Sequence, residues 1–439
     1  MTSQPNTITI PIIGASIAGL TIAHSLLSHF STTNHTTNST TKIKILLINP
    51  HPSFYWAIAA PRILTKPTAF TESQYLIPIA DGFAKYSPDV FEFILGRATS
   101  LDFEKKLLNV EEVTDTESNK TLRQEIKYDY LVIASGSTPS ASSTETLFPG
   151  EDNKDGENGE IYPFKLSPTS TTTITEAIKS AQTTISTAKK ITVIGAGPIG
   201  VEIAGELGDL ISSSPSEEGE EKKVITLISS TPRILPTLKP SASETATSLL
   251  SKKGVRVLTD RKVISVSPKE EGGYEIKLNN GDTLETDIYI PTIGVLPNSS
   301  YIPREVLDER GWVRVDEELK VSGVEGVYAA GDITTHTQKL SFKADEMAGV
   351  VVGNLVDDIN HATGAGNGNG SRKKGWRRGC GGGGGRKTYD EGTDVMMVVP
   401  VGTSGGTGQA FGWVLVSFMV WLAKGRDYFI WKAKGYVFK

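Results

Sequence analysis

Lys189–Glu206, KKITVIGAGPIGVEIAGE, is the stretch on which the fold turns. Its β-branched run from Ile191 to Ile194 suits a buried parallel strand. Gly195-x-Gly197-x-x-Gly200 follows at once, and Val201, Ile203, Ala204 and Leu207 then recur at helical spacing. Strand, glycine turn and helix in this order make the phosphate turn of a dinucleotide-binding βαβ unit. Gly195 permits the tight bend, Gly197 lets backbone approach a pyrophosphate, and Gly200 lets the helix press on the strand. The helix N-terminus then offers free N–H groups and the positive end of its dipole to phosphate.

A second such turn lies near the N-terminus. Thr7 to Ile13 reads as a strand, Gly14-Ala15-Ser16-Ile17-Ala18-Gly19 as the turn, and the apolar residues through Leu27 as a helix. Ser16 replaces the usual middle glycine; its side chain narrows the approach, while its hydroxyl can donate to a phosphate oxygen. An ordinary strand-to-helix turn is the plainer alternative. The polar stretch Ser31 to Lys42 reads as a solvated loop insertion before a strand from Ile43 to Ile48. That strand ends at Asn49, where an acid usually holds ribose hydroxyls. An amide both donates and accepts, so Asn49 is either a ribose contact or a turn residue before Pro50. Phe54, Tyr55, Trp56 and Arg62 follow; the rings line a flavin with Arg62 on its pyrophosphate, or they form a core corner with a surface arginine.

Further on, Phe91 to Ala98, Ser100 to Val110 and Glu125 to Tyr130 read as an antiparallel meander, and Leu131 to Ser137 as a buried strand tipped with Ala134-Ser135-Gly136. Pro149 to Gly159 is an acidic linker, Thr173 to Ala188 a helix, and Ser212 to Lys223 a solvated loop. The strand Val224 to Ile228 ends in Ser229-Ser230-Thr231-Pro232-Arg233. A carboxylate there would favour NADH; Ser229 with Arg233 nearby accommodates NADPH, and the choice stays open. A helix from Ser243 to Lys253, a strand from Val255 to Leu258 and a hairpin from Val263 to Leu278 come next. Two buried strands end in Thr292-Ile293-Gly294 and Gly331-Asp332, and a helix after Ser341 closes near Asn354.

Composition removes several function classes. A net charge of -5 gives no support to a general nucleic-acid binder. The single cysteine, Cys380, excludes a disulfide framework, a dithiol relay and a thiolate zinc site. The N-terminus lacks a basic, apolar leader and Thr2 rules out myristoylation, which together point to the cytoplasm. The Asn-x-Ser/Thr triplets at Asn34, Asn38, Asn119 and Asn298 read as chance. His361 to Gly392 is rich in glycine and arginine, either a flexible insert or a basic contact for nucleic acid or anionic lipid. The run from Trp413 to Leu422 is nearly all apolar, and Lys424, Arg426, Lys432, Lys434 and Lys439 follow it. It is too short for a bilayer span of about 20 residues. It either caps the core or lies in a membrane interface.

Two dinucleotide turns, the strand ends at Ala134-Ser135-Gly136 and Thr292-Ile293-Gly294, and Gly331-Asp332 together resemble the two-dinucleotide-domain flavoproteins, over roughly Thr7 to Asn354. Glu202 and Glu206 in the opening stretch, Pro61-Arg62 and the C-terminal run are most similar to apoptosis-inducing-factor-like oxidoreductases, in the ferroptosis suppressor branch related to type II NADH dehydrogenases. The resemblance implies an α/β fold of two Rossmann-like FAD/NAD(P)-binding domains with a small C-terminal segment. Residues 1–150 and 285–360 would form the FAD domain and 151–284 the NAD(P)H domain, with a flexible insert over 361–392 and the C-terminal segment over 393–439. It places FAD at Gly14, Ser16, Gly19, Asn49, Arg62, Ala134, Gly136, Gly331 and Asp332. NADH or NADPH falls at Gly195, Gly197, Gly200, Glu202, Ser229 and Gly294. Ser16, Asn49 and Thr2 depart from the family pattern.

The chemistry implied is hydride transfer from NAD(P)H to FAD and electron delivery to a quinone-like acceptor near the C-terminal segment, with peripheral membrane contact through 413–439 and no nucleic-acid partner. The cofactor carries that chemistry, so no catalytic dyad is required; Lys339 or Lys343 is the candidate for stabilising charge at the flavin, against the plainer reading of a surface lysine. The competing reading is a redox-responsive binding protein with slow turnover.

Overall fold

A computed structural model describes residues 7–33, 42–113, 121–140, 162, 164–165, 173–213, 222–364 and 386–439. Thr7–Ile13 pairs in parallel with Lys42–Asn49 along its whole length, from Thr7↔Lys42 to Ile13↔Ile48. Leu131–Ile133 and then Val327–Ala329 extend this sheet on one side; Phe91–Asp102, Leu107–Val113 and Thr121–Lys127 extend it on the other, giving seven strands. Near-continuous apolar sequence is the mark of strands covered on both faces. Ile10, Ile12 and Leu47 are fully buried, and the helix Ile17–Thr33 covers one face through Leu20, Ile22, Leu26 and Leu27.

The second parallel sheet has four strands in the order Arg256–Leu258, Val224–Ile228, Lys190–Ile194, Ile288–Pro291. Its helix Pro198–Ser213 begins two residues after Ala196, as the glycine spacing requires. The expected α/β architecture with two dinucleotide-type units is therefore present. A short antiparallel pair, Val295–Pro297 with Ser137–Pro139, links the two sheets' strand ends.

Three expectations need correction. Phe91 to Asp102 is one strand with a register shift between Ala98 and Ser100, a bulge that local periodicity reads as a break. The helix from Ser341 runs to Thr363 and is capped by Gly364 at φ +70, well past Asn354. Residues 361–363 therefore belong to that helix, while 386–392 also hold ordered contacts: Arg386 pairs with Asp358 at 2.7 Å, Lys387 N–H donates to Asn354 Oδ1 at 2.8 Å, and Tyr389 is buried. The core of the glycine/arginine tract, Cys380, the linker at 149–159 and most of the loops at 31–42 and 212–223 lie outside the described residues.

The C-terminal segment begins with Met397–Pro400, Gly406–Ala410 and Trp413–Val414 as a small antiparallel sheet. The helix Ser417–Val420 and the short helix Ala433–Val437 follow. Val399, Val420, Tyr428, Ala433 and Val437 are buried, so the segment does cap the core. It does so with one face only. Trp413, Phe418 and Trp431 remain 66% or more exposed. Among the described residues no helix is long and apolar enough to cross a membrane.

Candidate functional site

The two turns repeat one geometry. Gly14 has φ +105, and a Cβ there would sit 2.3 Å from the Ala134 carbonyl oxygen; Gly195 has φ +107, and its Cβ would meet the Thr292 carbonyl oxygen at 2.7 Å. Gly19 presses on the Gly14 carbonyl at 1.8 Å by the same measure, and Gly200 on that of Gly195 at 1.9 Å. No side chain fits at any of the four. Above Gly197 there is open space, as a backbone surface for pyrophosphate requires. In the first unit Ser16 holds that position and is exposed. Asn49 turns toward its own turn: Oδ1 accepts from the Ala15 N–H at 3.0 Å and Nδ2 donates to the His51 carbonyl at 2.7 Å.

A cavity of about 1250 Å³ opens at the carboxyl ends of the first sheet's strands. Gly14, Ser16, Asn49, Ala134, Gly136, Gly331 and Asp332 all line it, so these expected residues are brought together. Gly136 at φ +68 and Gly331 at φ +79 keep two of the strand tips free of side chains. The same cavity runs past Pro198, Ile199 and Glu202 of the second unit to Met396, Val398, Lys424 and Phe429 of the C-terminal segment. Gly294, with open space above it, precedes the lining residues Val295 and Leu296.

Charge in the cavity is paired. Asp332 accepts from Ser137 Oγ at 3.0 Å and from Lys165 Nζ. Burial works against its carboxylate, but the charge and hydrogen bond of Lys165, with that of Ser137, outweigh it and hold Asp332 below the usual carboxylate range. Lys339 stands over the Trp312 ring at 4.0 Å and donates to the Thr334 carbonyl at 2.6 Å. Burial pulls its ammonium down to about 8. Glu202 Oε1 takes a hydrogen bond from Lys424 Nζ at 2.5 Å. Burial pushes the Glu202 carboxyl up despite the opposing charge of Lys424.

Arg62 is a correction: it is buried and not in the cavity wall, and its guanidinium is committed inside the protein. Nη2 donates to Glu206 Oε1 at 2.8 Å and to the Gly425 carbonyl at 2.7 Å, and Nη1 to the Arg426 carbonyl at 2.8 Å. It therefore clasps the C-terminal segment rather than a pyrophosphate. Tyr428 OH donates to Glu206 at 3.2 Å, and Trp56 Nε1 to the Tyr428 carbonyl at 2.9 Å. Tyr428 and Phe429 hold φ +50 and +54, a left-handed pair that costs about 1–2 kcal/mol per residue and persists because the clasp fixes it. Lys343 is turned away from the cavity onto Glu346 at 3.0 Å, which leaves Lys339 as the lysine of that pair in the wall. Ser229 is buried, its Oγ 2.9 Å from Thr231 Oγ1. Lys165, Ser137 and Lys424 were missing from the expected site, because nothing local marks residues that reach it from distant segments.

Residues 8–362 match the family described as pyridine nucleotide-disulphide oxidoreductase. The chain belongs to that family. It is 39% identical over 325 residues to oxidoreductase ptaL of Pestalotiopsis fici, covering 74% of this chain and 76% of that protein. Ferroptosis suppressor protein 1 of Xenopus laevis is 25% identical over 446 residues, 99% of this chain and 97% of the relative, so the C-terminal segment takes part in the likeness. The sulfide:quinone oxidoreductase structure from Aquifex aeolicus superimposes with TM-score 0.67 at 16% identity, covering 98% of this chain and 92% of that one, a likeness of fold.

Membership makes this an oxidoreductase that uses FAD with NADH or NADPH. The residues present fit such cofactors: a cavity of the right class for a bound flavin, glycine cradles that a Cβ would fill, and a backbone surface left open at Gly197. Only Cys380 is available where the family's name implies a redox disulphide, so electrons do not pass through a cysteine pair of this chain.

Proposed function

We propose that the chain oxidises NADH or NADPH and delivers the electrons to a quinone-like acceptor. The observation that carries this is the continuity of one cavity from the strand ends of the first sheet, past Glu202 of the second turn, to an apolar arm walled by Met396, Met397, Val398 and Phe429. An acceptor with an aromatic, largely apolar body suits that arm. The external alternative NADH-ubiquinone oxidoreductase of Yarrowia lipolytica, 23% identical over 342 residues, is named for an acceptor of this class and supports the reading.

FAD, when bound, supplies a carrier that takes two electrons as hydride and gives them up again. Gly14, Ser16 and Gly19 would face its pyrophosphate; Asn49, Ala134, Gly136, Gly331 and Asp332 would hold its ribose and ribitol ends. Gly195, Gly197 and Gly200 would take the nicotinamide dinucleotide's phosphates, with Gly294 by the ring and Ser229 near the ribose. These roles divide the chain into an FAD part over 1–150 and 285–360 and a nucleotide part over 151–284. Overall, NAD(P)H, one proton and a quinone yield NAD(P)⁺ and a quinol. Glu202, its carboxyl raised by burial, is placed in the wall to hold the proton, and Lys424 to orient it. The exposed rings of 411–431 with Arg426, Lys432 and Lys434 would rest on an anionic membrane surface and bring the arm close to a lipid-borne acceptor.

Steady-state oxidation of NADH by FAD-loaded protein with a soluble ubiquinone analogue tests the proposal. Acceptor-dependent turnover supports it; negligible turnover with a fully loaded flavin favours a redox-responsive binding protein.

A further inference from the structure

Gln409 lies on the strand Gly406–Ala410, directly opposite Met397 of Met397–Pro400. Opposed residues of an antiparallel pair point to the same face of the sheet. Both line the cavity, which places Gln409 in the apolar arm that Met397 helps to wall. Gln409 is 9% exposed, so its amide is shut away from bulk water.

The amide is held at one end. Its Oε1 accepts from the Lys239 backbone N–H at 3.1 Å, and Lys239 Nζ in turn donates to the Gly412 carbonyl just beyond the same strand. A backbone N–H only donates, so the oxygen faces Lys239 and both N–H groups of Nε2 are left over. Among the described residues no acceptor takes either of them. A buried donor without an acceptor is unfavourable, and a ligand that brings an oxygen to it regains that loss. An aromatic acceptor whose ring bears carbonyl oxygens brings an apolar body for the Met397 side of the arm and an oxygen for Nε2.

We propose that Gln409 is a specificity-determining residue of the acceptor site: Nε2 donates to a ring carbonyl of the quinone and so selects carbonyl-bearing acceptors over apolar rings of the same size. This rests on the assignment of the arm to a quinone-like acceptor. Electrons and protons move as in the overall reaction, with Gln409 neither gaining nor losing a proton.

The test is titration of the oxidised, FAD-loaded protein with a soluble ubiquinone analogue, followed by tryptophan fluorescence, at about pH 8.5, where a carboxyl is ionised. Gln409→Met removes both ends of the amide; Gln409→Glu keeps an oxygen for the Lys239 N–H and replaces the donor with a second oxygen. Both should weaken the quinone about 10- to 100-fold and raise its KM to match, while turnover with ferricyanide, an acceptor without a carbonyl, stays within a few-fold of the parent. Rates of flavin bleaching by NADH should not move. Full affinity in Gln409→Glu with a loss in Gln409→Met would reduce Gln409 to an anchor for Lys239 and overturn the proposal. So would unchanged quinone binding in both variants, or a loss confined to NADH. If Gln409→Met does not fold, Gln409→Glu decides alone. Parent protein that bleaches with NADH but neither binds nor reduces the quinone would instead overturn the acceptor assignment itself.

Discussion

Arg62 and Glu206, 144 residues apart, form a buried ion pair in which Nε and Nη2 both address Glu206 Oε1, at 3.1 and 2.8 Å. Glu206 is fully buried and also receives Lys66 Nζ on Oε2 at 2.7 Å. Removing one partner of such a pair leaves an uncompensated buried charge, whereas replacing both with apolar groups avoids it. Glu206→Leu should therefore destabilise the protein by about 3–5 kcal/mol, and Arg62→Met with Glu206→Leu by clearly less. Guanidinium denaturation followed by tryptophan fluorescence measures both. A double variant no more stable than the single one would show that the clasp is not held by charge pairing.

Glu202 and Lys424 make the matching contact inside the cavity, 222 residues apart in sequence. Lys424→Met removes the charge that favours the Glu202 carboxylate, so the alkaline limb of the pH–rate profile, where Glu202 loses the proton it holds, should move to higher pH. Quinone reduction should slow by about 100-fold with Glu202→Gln, while the single-turnover rate of flavin bleaching by NADH changes little. Stopped-flow measurement of the two half-reactions separates them. Equal slowing of both would move Glu202 to the nucleotide side of the chemistry.

The dinucleotide units were readable because each is local. The strand Lys190–Ile194, the glycines and the helix Pro198–Ser213 are consecutive, and Val224–Ile228 has the bounds that its apolar run indicates. Periodicity reports which face of one element is buried. It carries no information on partners that topology supplies, and so Arg62 is read as a surface or phosphate-binding cation when its partner lies on a helix of the other unit. Lys165 and Lys424 were obscured for the same reason. The bulge between Ala98 and Ser100 hid the continuity of a strand because one extra residue reverses the alternation of faces.

The second nucleotide unit ends its strand at Ser229 without a carboxylate, and Arg261 is drawn alongside by its N–H to the Ser229 carbonyl at 2.9 Å. Arg233 is half-buried and anchors Nη2 on the Pro236 carbonyl at 2.9 Å. Without a carboxylate to repel it, a 2′-phosphate would find Arg233 as its partner if the nucleotide binds as proposed. Arg233→Glu should weaken NADPH about tenfold relative to NADH, which the ratio of kcat/KM values reports. No change in that ratio would exclude Arg233 from the nucleotide's reach.

Trp413 and Phe418 are 78% and 66% exposed on a segment whose other face is buried core. Replacing both with glutamate should leave stability nearly unchanged and reduce co-sedimentation with vesicles containing phosphatidylserine by several-fold, because each removes a ring from the interface and adds repulsion. Undiminished co-sedimentation would place any membrane contact elsewhere on the chain.

His24 stands against the first turn's helix core at 3% exposure, its ring stacked on Phe83 with centroids 4.1 Å apart. Burial, with further repulsion from Lys439 and Lys85, lowers its imidazole to about 4. In the unfolded chain the ring titrates near 6.5, so between about 4 and 6.5 the unfolded state binds the extra proton. Stability from this group is complete above that window and declines as pH falls through it, by up to about 3 kcal/mol. His29 and His336 are also lowered, chiefly by burial, and act in the same direction. His24→Phe keeps the stack but abolishes the titration, so its unfolding free energy should fall less steeply between pH 6.5 and 4 than that of the parent. Parallel pH curves for the two proteins would mean that the ring titrates over the same pH range in the folded and unfolded states.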